Sequence, residues 1–573
     1  MKERLLVITI AALFLVLVLC LFYTQILRYP YYARMARNNA IRIIPIDGPR
    51  GNILDRNGQI LVSNRISFNV AVVYQEIRRQ TKLVDLLVES IGADREEVME
   101  GLETARNKPY APVTIVEDIG KNKAVMLEEA SFDIPGLVIE TRSIRDYCLG
   151  RTGSHVFGYL SEITEDELQA MRPYGYRMRD MVGRGGLEKY YNKALTGVDG
   201  GVQIEVDNRG RQVRTLGMKE PRCGKDIRVT LDKDLQVAVD KLLGDRKGAA
   251  VVIDPRNGEV LALSSHPSFD PSVFVRPNKS AERMKLLRDR VGRPLIDRAI
   301  SGVYPPGSVF KIVTASAALQ TNSISPFTTF ACSGIYHLGR ASFRCWREEG
   351  HGSQDLANGM MNSCDVYFYS IGRKTGADNI EIFAKMYGYG AKTGIDLPDE
   401  AKGIAPGKQW KRLNRNEVWY EGDTVNYSIG QGFLLVTPLQ AVTMMSVVAN
   451  GGKLVRPHLV QKIGDTYIPP PEPRPTGLKE NVIKRVREAT RKVVNDEQGT
   501  GKNAKVPGTV VAGKTGSAEN PTGRTHAWFA GYAPYDDPRV AIVVFIEHGG
   551  HGGLEPARIA KGLFEEAKKR GYL

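Results

Sequence analysis

The sequence predicts an α+β protein in which an antiparallel sheet is sandwiched by helices, behind a long N-terminal region and one membrane-spanning helix. Three observations carry that expectation. Strand-like runs lie near residues 248–265 and again at 509–549, on either side of a mostly helical middle, and a helix closes the chain. Residues 5–27 are an uncharged apolar run long enough to cross a bilayer. The 573 residues, 42% hydrophobic and 25% charged, exceed one ordinary domain and exclude a wholly disordered chain.

The apolar run comes first. Lys2 and Arg4 precede it, so the positive-inside rule places the first four residues in the cytoplasm and everything from about residue 30 outside. Arg28, Tyr29, Pro30 and Tyr31 follow it with no small-x-small cleavage site, the mark of a retained anchor rather than a removed signal peptide. The formal net charge is +15, yet no dense Lys/Arg block with interleaved aromatics occurs. Nucleic acid therefore fits the charge poorly; an anionic membrane surface or an acidic polymer fits at least as well.

Residues 28–245 are read as one region of short strand-like and helical runs. Two turn-rich pieces mark it, Gly48-Pro-Arg-Gly-Asn-Ile-Leu-Asp-Arg-Asn-Gly58 and Gly183-Arg-Gly-Gly-Leu-Glu188, the second leading into a helix to about Leu195. Between them, residues 80–130 carry helical periodicity with many charges, an exposed helix-bearing insertion. A second region covers 246–573. It opens with two strands joined at Pro255-Arg-Asn-Gly258, a hairpin signal. Its last third holds strands at 509–519, 525–534 and 539–549, a proline-rich loop at 468–475 upstream of them, and a helix from Pro556.

Three short patterns carry chemistry. In Tyr304-Pro-Pro-Gly-Ser308-Val-Phe-Lys311 a turn leads into a helix, so Ser308 sits at the helix N-terminus with Lys311 on the same face. A serine hydroxyl needs a base within reach, and a desolvated lysine can serve. Free amides and partial positive charge at a helix start suit a developing oxyanion. Ser363-Cys364-Asp365 follows 55 residues after Ser308. Ser363 can relay a proton and Asp365 can orient its neighbours, although both residue types are also ordinary helix caps. Lys514-Thr515-Gly516-Ser517 lies on a strand and runs into a turn at Asn520-Pro-Thr-Gly523. Lys514 supplies a cation, Gly516 allows close approach, and the Ser517 amide can be a second oxyanion donor. Each pattern alone also fits a plain cap or surface lysine. Their occurrence together, in this order and each in its required setting, is the set used by serine β-lactamases and penicillin-binding proteins.

On these residues the chain resembles class B penicillin-binding proteins, the monofunctional peptidoglycan D,D-transpeptidases, along essentially its whole length. Residues 50–58 and 185–188 look like the two motifs of that class's elongated N-terminal pedestal. Ser428-Ile-Gly430-Gln431-Gly432, Thr437-Pro438-Leu439-Gln440 and His526-Ala-Trp528-Phe529-Ala-Gly531 are similar to segments lining the family's cleft. Asp365 stands where the class more often has asparagine, a departure that looks like the elongation-type members. The resemblance implies a penicillin-binding/serine β-lactamase-like transpeptidase domain on a pedestal, with a two-step acyl transfer at D-alanyl-D-alanine ends. Lys311 takes the Ser308 proton, the Ser308 and Ser517 amides hold the oxyanion, and Ser363 with Lys514 returns the proton to the leaving D-alanine. Lys514 and Thr515 bind the terminal carboxylate. β-Lactams acylate Ser308, and the chemistry uses no metal or organic cofactor. Implied partners are a shape-elongation-division-sporulation-type glycosyltransferase and a rod-shape scaffold protein. Two other readings stay open: a D,D-carboxypeptidase or β-lactamase on the same scaffold, and a non-catalytic β-lactam sensor or assembly scaffold.

The six cysteines do not suggest a disulfide scaffold in so long a chain. Cys332, Cys345, His351 and Cys364 offer three thiols and an imidazole, the ligand set of a closed tetrahedral zinc site. The alternative is a set of buried or partly disulfide-bonded cysteines with a solvated histidine. Elongation-type relatives are similar in carrying a metal site in this region. His337 is the rival imidazole; His351 is preferred because its flanking glycines free it to turn inward. Cys148 and Cys223 are left as a disulfide or two free thiols.

Overall fold

The computed structural model describes residues 2–178, 180–207, 212–520 and 523–573. The chain divides into two compact units, one comprising residues 1–50, 64–144 and 196–224, the other 51–63, 145–195 and 225–573.

The first unit begins with the apolar helix. Lys2–Leu27 is 26 residues with a mean hydropathy of 3.3 in its most apolar window and none of that window buried, long and apolar enough to cross a membrane. Helix Tyr29–Ala40 follows and leads into strand Ile41–Ile46, the edge of a three-stranded antiparallel sheet with Gly200–Val206 and Gln212–Lys219. Helices Gln80–Ile91, Arg95–Arg106 and Lys121–Ser131 realise the helical periodicity expected over 80–130. Leu83, Leu87, Val98, Leu102 and Leu127 bury their apolar faces against Val70 and Val72. Asp94 caps the second helix by accepting from the amide of Glu96 at 2.7 Å. Residues within that stretch depart from the expectation. Val113–Ile119 is a strand paired with residues 68–72, because its β-branched run completes a sheet that the helices cover.

In the second unit the two turn-rich pieces meet at one buried arginine. Arg145 Nε donates to Glu188 Oε1 at 2.6 Å and Nη1 to the Gly51 carbonyl at 2.8 Å, with both charged side chains fully buried. Gly51 must be glycine here, since a Cβ would lie 2.0 Å from the Lys225 carbonyl oxygen. Asp55 closes the first piece by accepting from the amides of Asn57 and Gln59.

The main sheet has five antiparallel strands in the order Val260–His266, Gly248–Ile253, Val540–Ile546, Gly523–Ala533, Ala512–Asn520. The expected hairpin opens it, closed by the Gly258 amide on the Asp254 carbonyl at 2.9 Å. Both faces are covered, so its central strands read as unbroken apolar runs. Ala250, Val252, Ile542 and Val544 pack against Leu235, Val239, Leu563 and Phe564 of helices Lys233–Leu243 and Glu555–Lys569. Val251, Ile253, Val543 and Phe545 face the opposite way, toward Met444, Val448 and the helical middle. That middle includes helices Lys311–Gln320, Asp365–Thr375 and Glu421–Ser428, with two nested two-stranded sheets between residues 330 and 354. The proline-rich stretch 468–475 is irregular except that Arg474–Pro475 pairs with Lys453–Leu454. The turn expected at Asn520-Pro-Thr-Gly523 has its two central residues, 521 and 522, outside the described residues.

Candidate active site

Ser308 lies in a helical turn, Gly307–Phe310, that runs directly into helix Lys311–Gln320. The turn is seated from two sides. The Gly307 amide donates to the Gly430 carbonyl at 3.0 Å. Gly307 has φ +54°, and a Cβ there would lie 2.6 Å from the Ser517 carbonyl oxygen. A Cβ on Gly516 would meet the Pro306 carbonyl oxygen at 2.7 Å. These two glycines let the Ser308 turn rest directly on strand Ala512–Asn520, and Ser308 is left half-buried.

Lys311 is fully buried, one turn along the same helix. Its Nζ donates to the Ser363 carbonyl at 2.8 Å and to Ser363 Oγ at 3.3 Å, and pairs with Asp365 Oδ1 at 2.7 Å. Asp365 heads helix Asp365–Thr375, where a carboxylate also meets the positive end of the helix. Lys514 approaches from the strand. It too is fully buried, and its Nζ donates to Ser363 Oγ at 2.8 Å and to the Thr515 carbonyl at 2.9 Å. Ser363 Oγ thus stands between two lysine nitrogens. Ser363 itself has φ +51°, a backbone conformation rarely taken by a residue with a side chain. The structure therefore brings all three sequence patterns to one place, with Ser363 as their common contact.

The two lysines differ in environment. Burial, and then the neighbouring Lys311 charge, push Lys514 well below the ordinary lysine pKa. Lys311 has the Asp365 carboxylate beside it, whereas no carboxylate is hydrogen-bonded to Lys514 among the described residues. Thr515 Oγ1 donates to Thr500 Oγ1 at 3.1 Å, and Thr500 Oγ1 donates to the Met361 carbonyl. Ser517 Oγ accepts from the Gly552 amide at 3.2 Å. Two of the three segments expected to line the cleft, those of Ser428 and His526, have contacts nearby. Thr314 Oγ1 donates to the Ser428 carbonyl at 2.7 Å, and the Tyr304 ring meets His526 edge-on and lies tilted against Phe545.

Cys332, Cys345, His351 and Cys364 form a compact cluster beside this site, their ligand atoms all within 4.8 Å of one another. Nδ1 of His351 lies 3.6 Å from Cys332 Sγ and 3.5 Å from Cys345 Sγ. Cys364 caps helix Asp365–Thr375, its sulfur accepting from the Tyr367 amide at 3.4 Å. Of the coupled Cys345 and Cys364 thiols, Cys345 is held well below the ordinary range, first by the hydrogen bond from Cys364. His337 is exposed and hydrogen-bonded to Ser342, away from the cluster. All six cysteines are free thiols, Cys148 and Cys223 both exposed.

Three contributors lay outside the sequence patterns. Trp346 hydrogen-bonds to Asp365 and to the Asn362 carbonyl, Thr500 holds Thr515, and Glu547 accepts from Tyr304 Oη at 2.8 Å. The proximity of Trp346 to Cys345 is the one sequence cue; the other two residues sit in stretches with no chemical signature.

Comparison with known proteins agrees with this arrangement. The penicillin-binding protein transpeptidase domain matches residues 248–565, and the penicillin-binding protein dimerisation domain matches residues 45–229. The chain is 33% identical over 569 residues to the peptidoglycan D,D-transpeptidase MrdA of Acinetobacter baumannii, covering 95% of this chain and 84% of that protein. It superposes with a TM-score of 0.81 and 28% identity on penicillin-binding protein 2 from Helicobacter pylori, solved in complex with MreC, over 93% of this chain and all of that one. A further solved match, at TM-score 0.75 and 29% identity over 98% of this chain and 97% of that one, comes from a peptidoglycan synthase complex that coordinates polymerization and crosslinking.

Proposed function

The chain belongs to the penicillin-binding protein transpeptidase family, and from that premise we propose that it is a peptidoglycan D,D-transpeptidase of cell elongation, working through a Ser308 acyl-enzyme and inhibited by β-lactams. The observation that carries the proposal is the bridge from Lys311 through Ser363 Oγ to Lys514 beneath the Ser308 turn.

Ser308 Oγ attacks the carbonyl of the penultimate D-alanine of a donor stem. Its proton goes to Lys311, which has passed one of its own through Ser363 Oγ to the neutral amine of Lys514. Asp365 holds Lys311 in place throughout. The amides of Ser308 and Ser517 receive the oxyanion, a role that the seating of Gly307 on Ser517 supports. The bond to the terminal D-alanine then breaks, and Lys514 returns the proton to the departing amine through Ser363. Lys514 and Thr515 bind the donor's terminal carboxylate, whose arrival favours the charged form of Lys514. An amine from a second stem then attacks the acyl carbon and gives up a proton through Ser363 to Lys514, while the ester bond to Ser308 breaks and Lys311 returns its proton to Ser308 Oγ, completing the cross-link.

The test uses the full-length chain with uncross-linked glycan strands bearing pentapeptide stems. Dimeric muropeptides formed with release of D-alanine are expected. Trimmed stems without dimers would instead mark a hydrolase on the same scaffold. In cells, depletion is expected to give rounded forms, whereas filaments would point to division.

A structural zinc held by Cys332, Cys345, His351 and Cys364 is part of the same proposal. For Zn–S bonds of about 2.3 Å and Zn–N of about 2.0 Å, a tetrahedron has ligand–ligand edges of roughly 3.5–3.8 Å. The two sulfur–nitrogen separations, 3.6 and 3.5 Å, fit such edges. The His351 nitrogen facing the sulfurs is Nδ1; Nε2 is buried with no hydrogen-bond partner among the described residues. When bound, zinc ties the 332–351 segment to the Ser363 turn; the acyl transfer needs nothing from it. Elemental analysis should give about one zinc per chain. Cys345→Ala should lose that zinc and lower Tm by about 5–10 °C, since removing a structural metal costs several kcal/mol. A metal-free chain of unchanged Tm would refute the site.

The boundary at 245/246 between pedestal and transpeptidase domain belongs to the proposal and is supported by the domain matches on either side of it. So does the topology: residues 5–27 as a single-pass anchor in the cytoplasmic membrane, the N-terminus inside as Lys2 and Arg4 favour, and the remainder extracytoplasmic. A rod-shape scaffold protein and a glycosyltransferase are the proposed partners. The solved complex of the H. pylori relative with MreC supports the first, and the peptidoglycan synthase complex supports the second.

A further inference from the structure

We propose that Trp346 is a positioning residue that holds Ser363 in its bridging conformation. The inference rests on the reading of Ser363 as the proton relay.

Trp346 grips the Ser363 turn on both sides. Its backbone N–H donates to Asp365 Oδ2 at 3.1 Å, two residues after Ser363. Its indole Nε1–H donates to the Asn362 carbonyl at 3.0 Å, immediately before Ser363. Between these anchors Ser363 keeps φ +51°, a conformation that a side-chain-bearing residue holds only when its surroundings impose it. The grip also reaches Lys311. Asp365 Oδ1 pairs with Lys311 while Oδ2 is occupied by Trp346, so the carboxylate is fixed at both oxygens. A tryptophan serving only as core filling would be buried, yet Trp346 is 59% exposed. Its ring packs beside His351 at 5.2 Å, and its polar edge is turned toward the turn. Releasing the Asn362 carbonyl lets the 362–363 peptide relax toward negative φ. Ser363 Oγ then leaves the line between Lys311 and Lys514, while the pocket that binds donor or penicillin is unchanged.

Two substitutions separate the hydrogen bond from the packing. Trp346→Phe keeps an aromatic ring beside His351 and removes the N–H. Trp346→His removes the six-membered ring but places an imidazole Nε2–H where the indole Nε1–H stood, because the two five-membered rings superpose atom for atom from Cβ. Acylation of the full-length chain by a chromogenic penicillin, at about pH 8 where the introduced imidazole is neutral, is resolved into noncovalent affinity and maximal acylation rate. Trp346→Phe should acylate roughly tenfold more slowly at unchanged affinity, the scale of one lost hydrogen bond. Trp346→His should stay within about threefold of the parent on the same scale, and both should keep the parent's zinc content. An unaffected rate in Trp346→Phe, a loss confined to affinity, or a tenfold loss in Trp346→His overturns the proposal. Should Trp346→Phe fail to fold, Trp346→Met, which also lacks the N–H, takes its place under the same criterion. Ser363→Ala in the same assay tests the relay itself: normal acylation there sinks the relay reading, whereas slow Ser363→Ala with a normal Phe variant sinks only the role of Trp346.

Discussion

Ser308→Ala is expected to abolish covalent labelling by penicillin and all cross-linking, with metal content and thermal midpoint at the parent's values. The effect is the largest expected because no neighbouring group can replace the hydroxyl. Lys311 and Lys514 are buried and already engaged with Ser363 and, for Lys311, with Asp365. Acylation should fall by at least about 10⁴-fold, the order of loss when a catalytic nucleophile is removed. The fold is spared because Ser308 is half-buried and the turn is held by backbone contacts of Gly307 and Gly430 rather than by the serine side chain. Labelling that persists at another residue would place the nucleophile elsewhere.

Lys514→Met is the second large effect, and it separates chemistry from stability. Methionine has nearly the length of lysine and suits a fully buried position. It cannot take or return a proton, so acylation should drop by about 10²–10⁴-fold, the usual worth of a general acid–base group. The pH profile gives the sharper signature. Lys514 is pushed down mainly by desolvation, so in the free enzyme it loses its proton below the ordinary lysine range. The parent's acylation efficiency should therefore rise with pH through that lowered value, and this limb should vanish in Lys514→Met. The stability consequence has the opposite sign. A lysine whose folded pKa lies below its unfolded one opposes folding; that cost is full below the lowered value and fades as pH climbs toward about 10.4. Methionine removes the cost, so the variant should melt no lower than the parent at neutral pH despite losing its bonds to Ser363 and Thr515. A variant that acylates normally, or one whose pH limb is unmoved, would take Lys514 out of the proton circuit.

Much of the site was legible because each functional residue sits in a local setting with its own sequence mark. Pro305-Pro306-Gly307 announces a turn, and the apolar run after Ser308 announces a buried helix. Lys514 and Gly516 belong to a Lys-Thr-Gly-Ser pattern lying within a run that reads as a strand. The sheet was legible for a related reason: strands covered on both faces must be apolar throughout, as 248–253 and 540–546 are. Less legible was what depends on partners distant in the chain. Arg145 has no motif around it, yet it closes the buried contact between Gly51 and Glu188. Trp346 and Thr500 reach the site from segments whose periodicity says nothing about chemistry. Strand Val113–Ile119 was hidden because charged helical runs flank it on both sides, although its own β-branched residues suit the pairing with residues 68–72. The surroundings that set the two lysines apart were also invisible. Sequence order names two ammonium groups, but only the fold shows Asp365 beside one and bare burial around the other.

The most direct measurement is mass spectrometry of the intact chain after brief exposure to penicillin, followed by proteolysis and mapping of the modified peptide. A single penicilloyl addition is expected on the peptide containing Tyr304 to Lys311, with fragment ions assigning it to Ser308. An addition on any other residue, or none on a chain that remains folded, would contradict a common site built from the 308, 363 and 514 segments.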